Sequence, residues 1–216
     1  MREFRHEIGI FSLLSTHPNI VRLMGITLGP YSMIMELISG GDLREFLVDP
    51  QGEHNWRVII KISLDIANGL KHIHSKNVLH GDVKSPNVLV TSGPELNIKI
   101  TDFGTAIEMN PAQEMIKSQV DNPCWLAPEV LQSKPYGFPS DVYSYGIILC
   151  ELRSIYSPFH DTVRWIEVEE KVINGDRPEL AKPSPPEFTK LVTDCWHPTP
   201  SSRPSWDNII SVRQGL

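Results

Sequence analysis

The stretch from Val78 to Gly104, VLHGDVKSPNVLVTSGPELNIKITDFG, constrains this chain more than any other. It holds two carboxylates, Asp82 and Asp102, with Lys84 and Asn87 between them. Each acid sits where a short apolar run gives way to a loop. Val78-Leu79 precedes His80-Gly81-Asp82, and Asn97 to Thr101 precedes Asp102-Phe103-Gly104. Val88-Leu89-Val90 and Ile98-Lys99-Ile100 read as two strands joined by a turn around Ser92-Gly93-Pro94. Such a hairpin folds the chain back and carries Asn87 and Asp102 towards Asp82. Two acids, an amide and an ammonium group converging on a small volume suit a hard divalent cation together with a phosphate.

Composition narrows the choice of partner. The 216 residues are enough for a sizeable core, in one domain or two small lobes. Hydrophobic residues at 40% and charged residues at 21% are ordinary for a soluble globular protein. A formal net charge of −6, with no run of Lys or Arg, argues against nucleic acid and anionic membrane as partners. The first residues lack the apolar core of a signal peptide, and the most apolar run, Tyr145 to Cys150, is too short to span a bilayer. Cys124, Cys150 and Cys195 are widely spaced and odd in number. They read as buried thiols in a reducing compartment, not as a disulfide frame or zinc site, and the expected localisation is cytoplasmic. Nothing in the sequence sets an oligomeric state.

Periodicity supplies the elements. Phe4, Ile8, Phe11 and Leu14 predict an amphipathic helix over 2–15, stopped at His17-Pro18-Asn19. Strands are expected from Ile20 to Thr27 and from Tyr31 to Leu37, joined through Gly29-Pro30. Gly40-Gly41 breaks the chain before a short helix capped by Asp42. A long helix runs from about Asn55 to Ser75 on the stripe Ile59, Ile62, Ile66, Leu70 and Ile73. Residues 105–126 show neither period and read as a long mobile loop of the functional kind. Pro139 and Asp141 open a helix reaching Arg153 that is apolar nearly all round, and so is expected to be buried. Three more helices are expected near 163–174, 186–196 and 205–213, separated by proline-rich connections. A little strand structure early and mostly helix afterwards make the chain α+β.

The eight residues His80-Gly81-Asp82-Val83-Lys84-Ser85-Pro86-Asn87 resemble the catalytic loop of the eukaryotic protein kinases, H-R-D-L-x-x-x-N. Asp102-Phe103-Gly104 and Ala127-Pro128-Glu129 resemble two further motifs of that family, in the family's order. The likeness continues through Asp141 to Gly146 and Cys195-Trp196 to Arg203-Pro204, so it covers essentially the whole chain. Ser85-Pro86 and Trp125 are similar to the tyrosine-kinase-like branch of the serine/threonine kinases. The resemblance implies an α+β, protein-kinase-like bilobal fold, with a mainly helical large lobe and a truncated small lobe. Residues 1–216 would be one kinase domain, 1–38 a remnant of the small lobe and 39–216 the large lobe.

It also implies a reaction: transfer of the γ-phosphoryl group of ATP, with Mg²⁺, to Ser/Thr hydroxyls of protein substrates. Position by position, Asp82 would orient the acceptor hydroxyl and take its proton, and Lys84 would neutralise the transferred group. Asn87 and Asp102 would hold Mg²⁺. Met35 would limit the depth of the adenine pocket, Glu36-Leu37-Ile38 would form the hinge, Asp42 would bond the ribose and Leu89 would floor the base. His80 is expected to pack beneath Phe103 and not to act as a base. Glu129 and Arg203 are expected to form a buried ion pair, and Asp141 to accept hydrogen bonds from the catalytic-loop backbone.

Three positions depart from the pattern. Gly81 replaces the family's Arg, which pairs with an activation-loop phosphate, so activity is expected not to depend on phosphorylation between Asp102 and Glu129. Asn122 stands where serine/threonine kinases carry a Thr. Glu7 matches the glutamate that pairs with a strand lysine, yet only six residues precede it, and the sequence holds neither that lysine nor the glycine-rich loop. The expectation is a kinase domain cut short on its N-terminal side. Two functions stay open: a serine/threonine kinase, or a catalytically impaired kinase-like binding or scaffold module.

Overall fold

A computed structural model describes residues 2–14, 16–48, 55–92, 95–109, 122–154, 156–180 and 183–213. The chain forms two compact units, Met1–Met109 and Asn110–Leu216. In the first, the expected opening helix is α1 (Arg2–Leu14), which buries Ile10, Phe11 and Leu14. Strands β1 (Leu23–Leu28) and β2 (Tyr31–Met35) pair antiparallel, with Leu28 opposite Tyr31. Both are shorter than their apolar runs suggest. Ile20 pairs in parallel with Ile100 instead, and the Val21 N–H donates to the Ile100 carbonyl at 3.0 Å. An apolar run cannot show which of two neighbours it will pair with.

Asp42 caps α2 (Leu43–Val48), its Oδ1 accepting from the Glu45 N–H at 2.8 Å. Asn55 caps α3 (Trp56–Ser75) in the same way, accepting from the Val58 N–H at 3.1 Å. The expected stripe of α3, Ile59, Ile62, Ile66, Leu70 and Ile73, is fully buried. Four short strands follow: β3 (Val78–Leu79), β4 (Val88–Val90), β5 (Ile98–Ile100) and β6 (Ile107–Glu108). The β4–β5 hairpin has the expected pairing, Val88 opposite Ile100 and Val90 opposite Ile98, while Gly93 and Pro94 of its turn lie outside the described residues. Strand β3 pairs antiparallel with β6, inside the segment that periodicity left as a loop. Two residues are too few to show a period, so only the partner defines this strand. Residues 110–121 of the same segment, Ser118 among them, lie outside the described residues.

The second unit contains α4 (Pro128–Leu131), α5 (Phe138–Glu151), α6 (Trp165–Asn174), α7 (Pro186–Cys195) and α8 (Trp206–Arg213). Every residue of α5 from Ser140 to Glu151 is buried, as its all-round apolarity requires. The helix stops at Glu151, just short of the expected Arg153. The Glu129–Arg203 pair is bidentate, with Nη1 to Oε1 at 2.6 Å and Nη2 to Oε2 at 2.8 Å. Arg203 also donates to the carbonyls of Pro139 and His197 and lies over the Tyr143 ring. The three cysteines are buried and form no disulfide. Among the described residues no helix is long and apolar enough to cross a membrane.

Candidate active site

All nine candidate site residues fall within the unit Met1–Met109. After β3 the chain turns through Gly81, where φ is +77°, and presents Asp82 half-buried. A short 3₁₀ turn over Ser85–Asn87 then brings Asn87 back onto it. Asp82 Oδ2 accepts from Lys84 Nζ at 2.6 Å and from Asn87 Nδ2 at 2.9 Å. Asn87 Nδ2 also donates to the Asp82 carbonyl at 2.9 Å. Both partners of that nitrogen are pure acceptors, so the amide orientation is determined and Oδ1 is the atom left to face a ligand. Asp82, Lys84 and Asn87 therefore form one hydrogen-bonded group.

Asp102 approaches this group through the backbone. The Thr101 N–H donates to the Asn87 carbonyl at 3.0 Å, fastening the end of β5 to the end of the catalytic turn. Asp102 itself takes φ +65°, a left-handed conformation costing a non-glycine residue about 1–2 kcal/mol. That conformation turns the chain out of β5 and leaves the carboxylate exposed, with Oδ1 accepting from the Gly104 N–H at 3.4 Å. Phe103 goes the other way. Its buried ring meets Phe11 edge-on at 4.8 Å and lies 5.2 Å from His80. His80 Nδ1 accepts from the Asp82 N–H at 3.3 Å and Nε2 faces the Thr101 carbonyl at 3.2 Å. Those partners require a neutral ring with its proton on Nε2, the packed support expected.

Among the residues that the resemblance would place around a nucleotide, Met35 ends β2 and is 41% exposed. The Glu36 carboxylate faces away from any ligand role, because Oε1 accepts from the Arg22 N–H at 2.8 Å and from Lys99 at 2.8 Å. Burial works to raise the Glu36 pKa, but the bonds from Lys99 and the Arg22 backbone outweigh it and hold the group below the usual range. Its N–H bonds the Arg22 carbonyl at 3.0 Å. The Glu36 carboxylate and N–H are thus both engaged within the protein. Asp42 and Leu89 are antiparallel bridge partners, and the Val90 N–H donates to the Gly41 carbonyl at 2.9 Å. Thus Asp42 is tied to Leu89 as one pair, while Met35, Glu36 and Ile38 are carried separately by the end of β2.

Side chains not singled out by sequence also shape this region. Lys99 alternates with the buried Ile98 and Ile100, which marks it as facing the other side of β5 but does not reveal Glu36 as its partner. His6 of α1 contacts the Ala106 carbonyl at 2.7 Å, a bond spanning a hundred residues with no local signal. Next to it, burial and then the Asp102 charge push Glu7 above the ordinary carboxylate range, against a pull downwards from His6.

Among the described residues no group of three or more His, Cys, Asp and Glu could hold a metal by itself. Mg²⁺ is commonly bound through one or two protein oxygens together with substrate phosphates. The exposed Asp102 carboxylate and Asn87 Oδ1 would be the two such oxygens here.

Residues 1–212 match the family described as protein tyrosine and serine/threonine kinase, and the chain belongs to that family. It is an α+β protein kinase domain. It is 38% identical to "Probable serine/threonine-protein kinase pats1" of Dictyostelium discoideum over 99% of its length. It is 35% identical to "Probable serine/threonine-protein kinase roco8" of that organism over 98%. With "Cyclic GMP-binding protein C", again from Dictyostelium discoideum, it shares 39% identity over 98%. The chain spans 7%, 12% and 8% of those three proteins.

Proposed function

We propose that this chain is the catalytic part of a protein serine/threonine kinase using MgATP. The observation that carries the reading is the group Asp82, Lys84 and Asn87, hydrogen-bonded together one residue from where Thr101 leads into Asp102. The acceptor hydroxyl gives its proton to Asp82 as its oxygen bonds the γ-phosphorus, and the bond from that phosphorus to the β,γ-bridging oxygen breaks to release ADP. Asp82 orients that hydroxyl as well as accepting its proton. Lys84, already beside Asp82, neutralises charge on the transferred group. Mg²⁺, held by Asp102 and Asn87, would supply charge neutralisation along the phosphates. Met35 sets the depth of the adenine site, and the Glu36 carbonyl and Ile38 N–H bond the base. Asp42 bonds the ribose while still capping α2, and Leu89 lies under the base.

In this reading residues 1–38 contribute the small-lobe side of the site and 39–216 the large-lobe side. Protein substrates and a cytoplasmic location accord with three buried thiols and a net charge of −6. A second reading, a kinase-like scaffold without transfer, rests on Glu7. Burial and then the Asp102 charge raise its pKa above the ordinary carboxylate range, against a lowering from His6.

The test is MgATP-dependent phosphorylation of a generic protein acceptor by the full-length protein, with Asp82→Asn and Asp102→Asn alongside. Each change should lower the rate by about 10²-fold or more. Transfer that survives either change would place the chemistry elsewhere, and its absence from the unaltered protein would favour the scaffold.

A further inference from the structure

The turn that follows Asp102-Phe103-Gly104 is held from two sides. The Ala106 N–H donates to the Phe103 carbonyl at 3.1 Å and closes the turn. On one side the Thr105 hydroxyl donates to the His80 carbonyl at 3.3 Å. On the other, His6 Nε2 lies 2.7 Å from the Ala106 carbonyl. A carbonyl only accepts, so Nε2 carries the proton and donates. The two ends differ in setting: His6 is exposed on α1, whereas Ala106 is buried and adjoins β6. The bond thus ties a helix to a point already fixed in the core of this unit.

Gly81 has no side chain, and a Cβ placed there would meet the Thr105 carbonyl at 3.4 Å. The contact of Phe11 with Phe103 holds the middle of α1 through apolar packing, which does not by itself set the rotation of the helix. A directional bond one residue from Glu7 does.

We propose that His6 is a positioning residue. Through the Ala106 carbonyl it sets how α1 presents Glu7 beside Asp102. Its effect on transfer rests on the reading of Asp102 given above. The tie itself does not. A single part-buried hydrogen bond contributes modestly to net stability, so its loss should show in geometry before it shows in folding.

The experiment uses the full-length protein with His6→Ala and His6→Gln. A glutamine amide can donate to the same carbonyl, and alanine cannot. For His6→Ala the expected result is a kcat roughly tenfold lower with the KM for a protein acceptor little changed, because a small displacement of a reacting group is enough for that. Amide hydrogen exchange should speed up in 103–109 and in α1, with the melting temperature nearly unaltered. His6→Gln should restore most of both. The proposal is overturned if His6→Ala exchanges like the unaltered protein, or if His6→Gln is as impaired as His6→Ala. Should the unaltered protein transfer no phosphate, the kinase reading fails, and the exchange comparison alone decides the tie.

Discussion

Arg203 shows how much one buried side chain can be asked to hold. Its guanidinium makes two bonds to Glu129, reaches the Pro139 and His197 carbonyls and lies 5.1 Å from the Tyr143 ring centroid. Removing one partner leaves an uncompensated buried charge, so Arg203→Met should destabilise the protein by about 3–5 kcal/mol. Chemical denaturation reads this as a lower midpoint at constant slope. A second residue-level prediction concerns the stacked rings of His17 and His72, with centroids 4.6 Å apart. Burial is the main cause that lowers both from the usual 6.5; the neighbouring His72 and Lys99 add to it at His17, and Lys76 adds to it at His72. Asp65 and the Leu14 backbone act in the opposite sense. The unfolded chain therefore takes up protons first as pH falls. The stabilisation is complete above the unfolded value near 6.5 and is lost as pH drops through the lowered folded values. The denaturation midpoint should fall as pH drops below the unfolded value near 6.5, and His72→Gln should flatten that fall. Glu7 is raised and so works in the opposite direction from about its usual 4.5 upwards, which makes the comparison with His72→Gln the decisive one.

At the scale of elements, α5 and α7 approach closely because Gly146 lets them. A Cβ at Gly146 would stand 2.8 Å from Cys195 Cβ and 3.2 Å from the Trp196 nitrogen. Gly146→Ala should therefore cost about 1–3 kcal/mol through overpacking, visible in thermal or denaturant unfolding. At the exposed Gly9 of α1, where a Cβ would meet nothing within 4 Å, the same change should not act this way. The β4–β5 hairpin and α3 were legible from alternation and from the isoleucine stripe, since each period reports a face that must be buried. The β3–β6 pair was not, because two-residue strands exist only through their partner.

For the whole molecule, Gly81 predicts independence from activation-loop phosphorylation. Treating the protein with a phosphatase should leave its transfer rate within about twofold, whereas a large loss would show that a phosphate is needed and finds another cation. Replacing Thr105 would be a poorer test, because its hydroxyl already bonds the His80 carbonyl. Burial pushes the Cys124 thiol up to about 11 and Cys150 up to about 12, so neither is a nucleophile in the folded chain. That agrees with the reading of the cysteines as core residues, made from their spacing alone.

The residues of the catalytic turn, their order and their chemical types were determined by the sequence alone, because a motif is a local pattern of groups and spacings. So was the helix cap at Asp42, which acts within one turn of the chain. The tertiary structure alone decided the rest. It settled that Asn87 bonds Asp82 through Nδ2, that Lys99 pairs with Glu36, and that Asp102 takes a left-handed turn with its carboxylate exposed. It also decided that α1 is tied to Ala106. These depend on groups brought together from far along the chain, and neither spacing nor periodicity records such a meeting. The stretch from Val78 to Gly104 names the chemistry; bonds made to it by Asn19, Val21 and Asp65 of α3 hold it in place.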